Sequence, residues 1–170
     1  EVTKYRKKGG IDASFIVKRY PQAGAHCLEM EQFVEEYRGE GNPVDLVVID
    51  YGDIIAPMTK TGDRREDQAA TYMEMRNMAA SLDVPIWTAS QANRLALKRK
   101  TITIEHIADS FDKAKIADYI IAQCQTEAEK KVNELRLFFA KSRFSGQGDQ
   151  MLIDADFSRS SFTVNTVGSR

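Results

Sequence analysis

The sequence is short of several things, and each shortage excludes a class of protein. No apolar run approaches the ~20 residues a membrane-spanning helix needs. The longest, Val44–Ile49 and Ile116–Ala122, are strand-sized and broken by Asp or Tyr. Cysteine occurs only at Cys27 and Cys124, far apart and without metal or redox spacing. Such isolated cysteines point to buried thiols in a reducing compartment rather than to a disulfide framework. An excess of charge of one sign is also missing, because 24 Lys and Arg face 25 Asp and Glu. Any nucleic-acid surface must therefore be local, built by clustering a few cations. There is no internal repeat, no low-complexity stretch and no signal-peptide pattern, and residue 1 is Glu. His26 and His106 have no metal-ligand partner at helical or hairpin spacing, which leaves them surface or capping roles.

What remains is ordinary globular composition, 42% hydrophobic and 29% charged over 170 residues, enough for one compact domain spanning 1–170. Short β-type runs alternate with longer helical stretches, the pattern of an α/β fold. Ile11–Lys18 alternates as a strand until Pro21. His26–Arg38, with Leu28, Phe33 and Tyr37, reads as an amphipathic helix. Val44–Ile49 is apolar enough for a strand covered on both faces. Arg65–Leu82 places Ala69, Tyr72, Met75, Ala79 and Leu82 on one helical stripe. Val84–Ser90 is a further buried strand in which Trp87 packs, and the basic stretch Ala92–Thr103 reads as a loop. Ile116–Cys124, Leu135–Ala140 and Met151–Phe157 complete the strands, with a turn at Phe144–Gly148, and Glu127–Lys131 reads as a solvated turn. One mixed sheet is expected, parallel in its first part and antiparallel at its C-terminal edge. The methionines Met58, Met73, Met75 and Met78 read as core filling.

Three segments carry chemistry. Asp45-Leu-Val-Val-Ile-Asp50-Tyr51 puts a carboxylate at the C-terminal tip of a strand, where open α/β sheets bind ligands. A lone carboxylate there suits Mg²⁺ held through water, and it equally suits a turn or helix cap. Val84-Pro-Ile-Trp-Thr-Ala-Ser90-Gln91-Ala-Asn93-Arg94 ends a second strand in amides and a hydroxyl, able to sense a phosphate oxygen or simply to close a strand. In Phe138-Phe-Ala-Lys141-Ser-Arg143-Phe-Ser-Gly146, Lys141 and Arg143 share one face of a strand. Two adjacent cations repel unless an anion meets them, although lysine also protects solvated sheet edges. Between residues 94 and 115 there are three more cations than anions, from Arg94, Lys98, Arg99, Lys100, Lys113 and Lys115. Such a cluster is either a solvated loop or a track for phosphates.

Taken in order, these segments resemble the RecA-like ATPase domain of DnaB-type replicative helicases, including those of phages. The correspondence rests on Val48-Ile-Asp-Tyr51, Val84–Arg94, Asp109-Ser110, Ala117-Asp-Tyr-Ile-Ile121 and Lys141-Ser-Arg-Phe-Ser-Gly146, with Phe15-Ile-Val-Lys-Arg-Tyr-Pro21 upstream, and covers about residues 12–165. It implies the C-terminal portion of a RecA-like P-loop NTPase core, ATP and Mg²⁺ as cofactors, and 5′→3′ movement on single-stranded DNA. It further implies a homo-oligomeric ring, a hexamer, working with a primase or helicase loader in the cytoplasm of a bacterial or phage-infected cell. By the same resemblance Asp50 holds the Mg²⁺ of a nucleotide, and Gln91 links the γ-phosphate to the DNA-binding loops. Lys141 and Arg143 reach a neighbour's nucleotide, Arg143 as an arginine finger, and the basic loop faces the DNA channel.

Two departures stand out. No G-x-x-x-x-G-K-[ST] occurs, and Gly9-Gly10 is no substitute, so the phosphate-cradling loop is expected upstream of Glu1 and the chain alone is expected to be inactive. Where the family often carries Arg-Glu-Ser-Gly, this chain reads Ala108-Asp-Ser-Phe111. Two rival readings stay open: a non-catalytic RecA-like regulatory or assembly module, and a recombinase-type ATPase.

Overall fold

The computed structural model describes residues 2–6, 14–21, 24–93, 101–104, 111–144 and 146–168. Helix α2 shows most directly how this sequence sets an element. It spans Arg64–Leu82, and the Asp63 carboxylate caps it by accepting from the backbone N–H of Arg65 at 2.7 Å and of Glu66 at 3.1 Å. Such a cap is worth about 1 kcal/mol. Tyr72, Met75, Met78 and Leu82 form its buried stripe, and Asp83 closes it in the left-handed conformation. Of the four methionines, Met75 and Met78 fill the core, whereas Met58 and Met73 are exposed.

Helix α1, Cys27–Gly39, begins at His26, whose N–H donates to the Glu29 side chain at 3.3 Å. His26 thus occupies the N-cap position, and its ring Nδ1 lies 3.1 Å from Ala56 O. The buried stripe differs from the expected one, because Cys27, Met30 and Val34 face the core and Leu28 is exposed. Spacing of three and four residues decides the face, not the size of the apolar side chains. Arg38 fastens the far end of α1, donating to Leu82 O at 2.6 Å and Val44 O at 3.0 Å.

These helices cover one side of a parallel pair, β3 (Val47–Ile49) and β4 (Ile86–Thr88), in register Val47↔Ile86 to Ile49↔Thr88. Ile49, Met75, Met78, Leu82 and Val84 join the α1 stripe in one core. The sequence predicts a pair covered on both faces. In the described residues it is not: Val48 and Trp87, directly opposite each other, are 61% and 57% exposed. Successive strand side chains point to opposite faces, and both helices lie on the Ile49 side.

The single mixed sheet expected is instead divided. Strands β5 (Tyr119–Cys124), β6 (Glu134–Ser142), β7 (Gln150–Asp156) and β8 (Ser161–Gly168) form a separate antiparallel sheet in that order. Three-residue strands offer few ladder hydrogen bonds, and helix α3 (Phe111–Ile116), packed on α2, precedes β5. Leu135, Ile153 and Ala155 make a second core. The expected solvated turn at Glu127–Lys131 is a one-turn helix, α4, capped by Thr126. Strands β1 (Val2–Arg6) and β2 (Ser14–Lys18) pair antiparallel, and Phe15 on β2 is exposed. Both cysteines are free thiols and buried. Burial, with the neighbouring Glu74 and Glu31, pushes the Cys27 thiol up to about 12.

Candidate functional site at the strand tips

Parallel strands that start together end together, so β3 and β4 deliver Asp50 and the Ala89-Ser90-Gln91 segment to a common edge. Thr88 Oγ1 donates to Ile49 O at 2.9 Å, and Gly52 N–H donates to Ala89 O at 3.3 Å, which locks the two tips. A cis peptide joins Asp50 to Tyr51, and a short 3₁₀ turn follows over Gly52–Ile54. Gly52 is buried where a Cβ would stand 2.9 Å from Thr88 Oγ1 and 3.0 Å from the Tyr72 hydroxyl. Only glycine fits that gap.

Asp50 itself is exposed, and no described residue donates to its carboxylate. Among the described residues no group of three His, Cys, Asp or Glu stands close enough to form a protein cage for a metal. An exposed single carboxylate suits an ion that keeps most of its water and takes the rest of its ligands from phosphate, as Mg²⁺ does. The donor set thus fits Mg²⁺. The Gln91 amide donates to the Tyr51 hydroxyl at 3.5 Å, so the strand-tip amide and the Asp-Tyr pair share one small surface.

The hub of this edge is a residue that no sequence motif marks. The Asp53 carboxylate accepts from Lys113 Nζ at 2.6 Å, the Tyr72 hydroxyl at 2.8 Å, Ser90 Oγ at 3.0 Å and Gln91 N–H at 3.1 Å. Burial opposes ionisation of Asp53. The hydrogen bonds from Lys113, Tyr72 and Gln91 outweigh it and hold the carboxyl below the ordinary carboxylate range. Tyr72 is pushed up, first by burial and then by its bond to Asp53. The one clue in the sequence is Tyr72, a polar tip inside an apolar helical stripe. Nothing in periodicity points to Asp53.

Lys113 is the clearest departure from expectation. The sequence places it in a phosphate-tracking cluster, yet its side chain is 2% exposed, ion-paired to Asp53 and 5.1 Å from the Tyr72 ring centroid. The Asp53 carboxylate and the surrounding helix faces withdraw its charge from the surface. Lys115 stays at the surface and pairs with Asp112 at 2.8 Å. Arg94, Lys98, Arg99, Lys100 and His106 lie outside the described residues, as do Gly9-Gly10 and Asp109-Ser110.

Lys141, near the end of β6, and Arg143, one residue past it, meet the same helix end. Lys141 Nζ donates to Ala114 O at 2.5 Å, Ala117 O at 2.7 Å and Lys115 O at 3.1 Å. Arg143 donates to Lys115 O at 2.9 Å and pairs with Asp118 at 2.8 Å, which also receives Arg76 at 3.1 Å. On the sequence alone, an arriving anion is what reconciles the two cations. The structure supplies acceptors within the chain, because the carbonyls at the C-terminal end of α3 are negative and unsatisfied by the helix itself. Burial and then the Arg143 charge lower the basicity of Lys141.

The sequence pattern of the DnaB-like helicase C terminal domain matches residues 11–162. A DnaB-like replicative helicase of Enterobacteria phage T4 is 24% identical over 148 residues, which cover 85% of this chain and 31% of that protein. Two solved structures share the fold over 81% of this chain. One is an ATPase domain, with a TM-score of 0.73, 18% identity and 51% of its chain covered. The other, with a TM-score of 0.72, 19% identity and 35% covered, is a DnaB-like replicative helicase described with its interactions with primase. The chain thus spans about a third of the length of the curated relative it matches.

Proposed function

This chain belongs to the family of DnaB-like helicase C-terminal domains, and from that premise we propose that it is part of the motor of an ATP-driven replicative DNA helicase. The observation that carries the reading is the pairing of β3 with β4, which brings Asp50 and Gln91 to one strand edge, the place where open α/β sheets bind ligands. Asp50 would hold Mg²⁺, which when bound would supply charge neutralisation on the phosphates of ATP. Gln91 orients its amide toward the terminal phosphate and reports its loss to the segment that follows Asn93. The triphosphate itself needs a glycine-rich loop that this sequence does not contain.

Arg143 acts in a neighbouring subunit's site. Its Asp118 partner is half exposed, so exchanging that carboxylate for a phosphate oxygen requires little desolvation. Lys141, held by three carbonyls, steadies the strand end from which Arg143 reaches. The motor runs 5′→3′ on single-stranded DNA as a hexameric ring in the cytoplasm, with Arg94, Lys98, Arg99, Lys100 and Lys115 along the strand's path. A primase is a partner of the described relative, and a primase or loader is proposed here by the same likeness.

The test is Arg143→Ala in the full-length protein. DNA-stimulated ATP hydrolysis should fall by about 10³-fold or more while nucleotide binding persists, the scale set by loss of an arginine finger. Normal turnover in that variant would refute the reading of Arg143 as a finger acting across the interface.

A further inference from the structure

We propose that Lys113 is a positioning residue that ties the strand-tip segment bearing Gln91 to the strand end bearing Lys141 and Arg143. The inference rests on the helicase reading above and adds to it a residue whose place in the sequence suggests DNA contact instead.

The geometry is a short relay. Gln91 N–H and Lys113 Nζ donate to the same carboxylate, at 3.1 Å and 2.6 Å. The residue after Lys113 is Ala114, whose carbonyl receives Lys141, and Lys115 O next to it receives both Lys141 and Arg143. One carboxylate and one short helix therefore separate the cis amide from the pair of trans cations. Helix α3 has six residues, too few to hold its own shape in isolation. Its position is set by what grips it: Lys113 toward Asp53, Lys141 and Arg143 on its last carbonyls, and Arg76 on Ile116 O at 2.7 Å.

Lys113 has no other evident task. Its side chain is 2% exposed, so it offers no charge to a solvent-borne ligand. A buried ion pair is seldom more stable than apolar groups of the same shape, and its best-attested use is to specify one arrangement over others. Here the specified arrangement is the seat of α3 against Asp53, a carboxylate that also fixes Ser90 and Gln91. A change in the Gln91 segment then shifts the helix end on which the next site's cations rest.

The experiment is steady-state ATP hydrolysis by the full-length protein with single-stranded DNA, comparing wild type, Lys113→Met, Gln91→Ala and the double variant. Lys113→Met leaves Asp53 its three other donors. It should lower kcat at least tenfold with KM for ATP within twofold, since Lys113 touches no nucleotide in this reading and the groups proposed to anchor ATP, Asp50 with its Mg²⁺ and the glycine-rich loop, lie outside the relay. The double variant should lie within threefold of its more impaired parent. Unchanged kcat, a KM that rises in step with the loss of kcat, or a double variant as low as the product of the two single effects would each overturn the proposal. If Lys113→Met melts below the assay temperature, Asp53→Asn/Lys113→Met, which removes both buried charges, is judged by the same criteria. A wild-type protein that hydrolyses no ATP on DNA would instead remove the helicase reading, and this inference with it.

Discussion

Replacing Gly52 by Ala tests the strand-tip packing through a single methyl group. Its Cβ would lie 2.9 Å from Thr88 Oγ1, 3.0 Å from the Tyr72 hydroxyl and 3.2 Å from Met75 Cε. The methionine methyl yields easily, being the end of a flexible chain. Thr88 does not, because its β-branched side chain is stiff and its hydroxyl is spent on Ile49 O at 2.9 Å. Nor does Tyr72, whose hydroxyl holds Asp53 at 2.8 Å. Overpacking of this kind costs about 1–3 kcal/mol. Losing one of the two hydrogen bonds adds about 1 kcal/mol. Stiffening the unfolded chain returns only about 0.4–1 kcal/mol. The clash therefore wins, with a net loss of about 1–3 kcal/mol, and at about 2–4 °C per kcal/mol a 2 kcal/mol loss lowers Tm by about 4–8 °C. Thermal and urea unfolding of the Gly52→Ala protein measure this. Adding Thr88→Ala removes the nearest atom and should restore part of the loss, a positive coupling between the two sites. Equal or greater stability in Gly52→Ala, or strictly additive effects in the double variant, would refute the packing argument.

Two further outcomes are expected. Asp50→Asn in the full-length protein should raise the Mg²⁺ concentration needed for half-maximal ATP hydrolysis several-fold, and an unchanged Mg²⁺ titration would count against the metal role. Glu129 accepts from Arg136 at 2.5 Å, and that bond, with those from Thr126, holds its carboxyl down to about 2 from an ordinary 4.5 despite partial burial. A carboxylate depressed in the folded state stabilises above its unfolded pKa, and that contribution disappears as pH falls from about 4.5 to about 2. The whole shift corresponds to about 3 kcal/mol, which water at the partly exposed carboxylate reduces to about 1–2 kcal/mol. Glu129→Gln should therefore be less stable than wild type by that amount at pH 7 and scarcely different near pH 2, as urea unfolding at both values will tell.

The sequence carries the elements better than their arrangement. Helix α2 is legible because its stripe of Ala69, Tyr72, Met75, Ala79 and Leu82 agrees with its length. The Asp50 and Gln91 strand ends are legible because an apolar run that stops in polar residues marks a strand tip. What cannot be read is anything that depends on distant segments meeting. Asp53 looks like an ordinary turn residue until Lys113, 60 positions later, arrives beside it. Lys113 looks like one cation of a basic stretch, since charge counting along the chain has no term for burial. The face of α1 is obscured by the large side chains of Leu28 and Phe33, which outweigh the smaller Cys27 and Val34 in the pattern. The division of the sheet is hidden because strand runs give order but not pairing partners. The strand alternation puts Lys141 and Arg143 on one face, yet their acceptors at the end of α3 belong to a helix too short to leave a periodic signal.

The exposure of Trp87 has a practical side. It is the only tryptophan in the chain, it stands one residue before Thr88 on the strand that delivers Ser90 and Gln91, and it faces away from the helical core. This chain thus carries a single indole, on its site-bearing strand and on the face of the β3–β4 pair that α1 and α2 leave bare. Indole emission responds to the water around the ring. Assembly, ligand arrival or the docking of any further segment on that face can be followed by its colour without a label, while changes confined to the antiparallel sheet leave it silent.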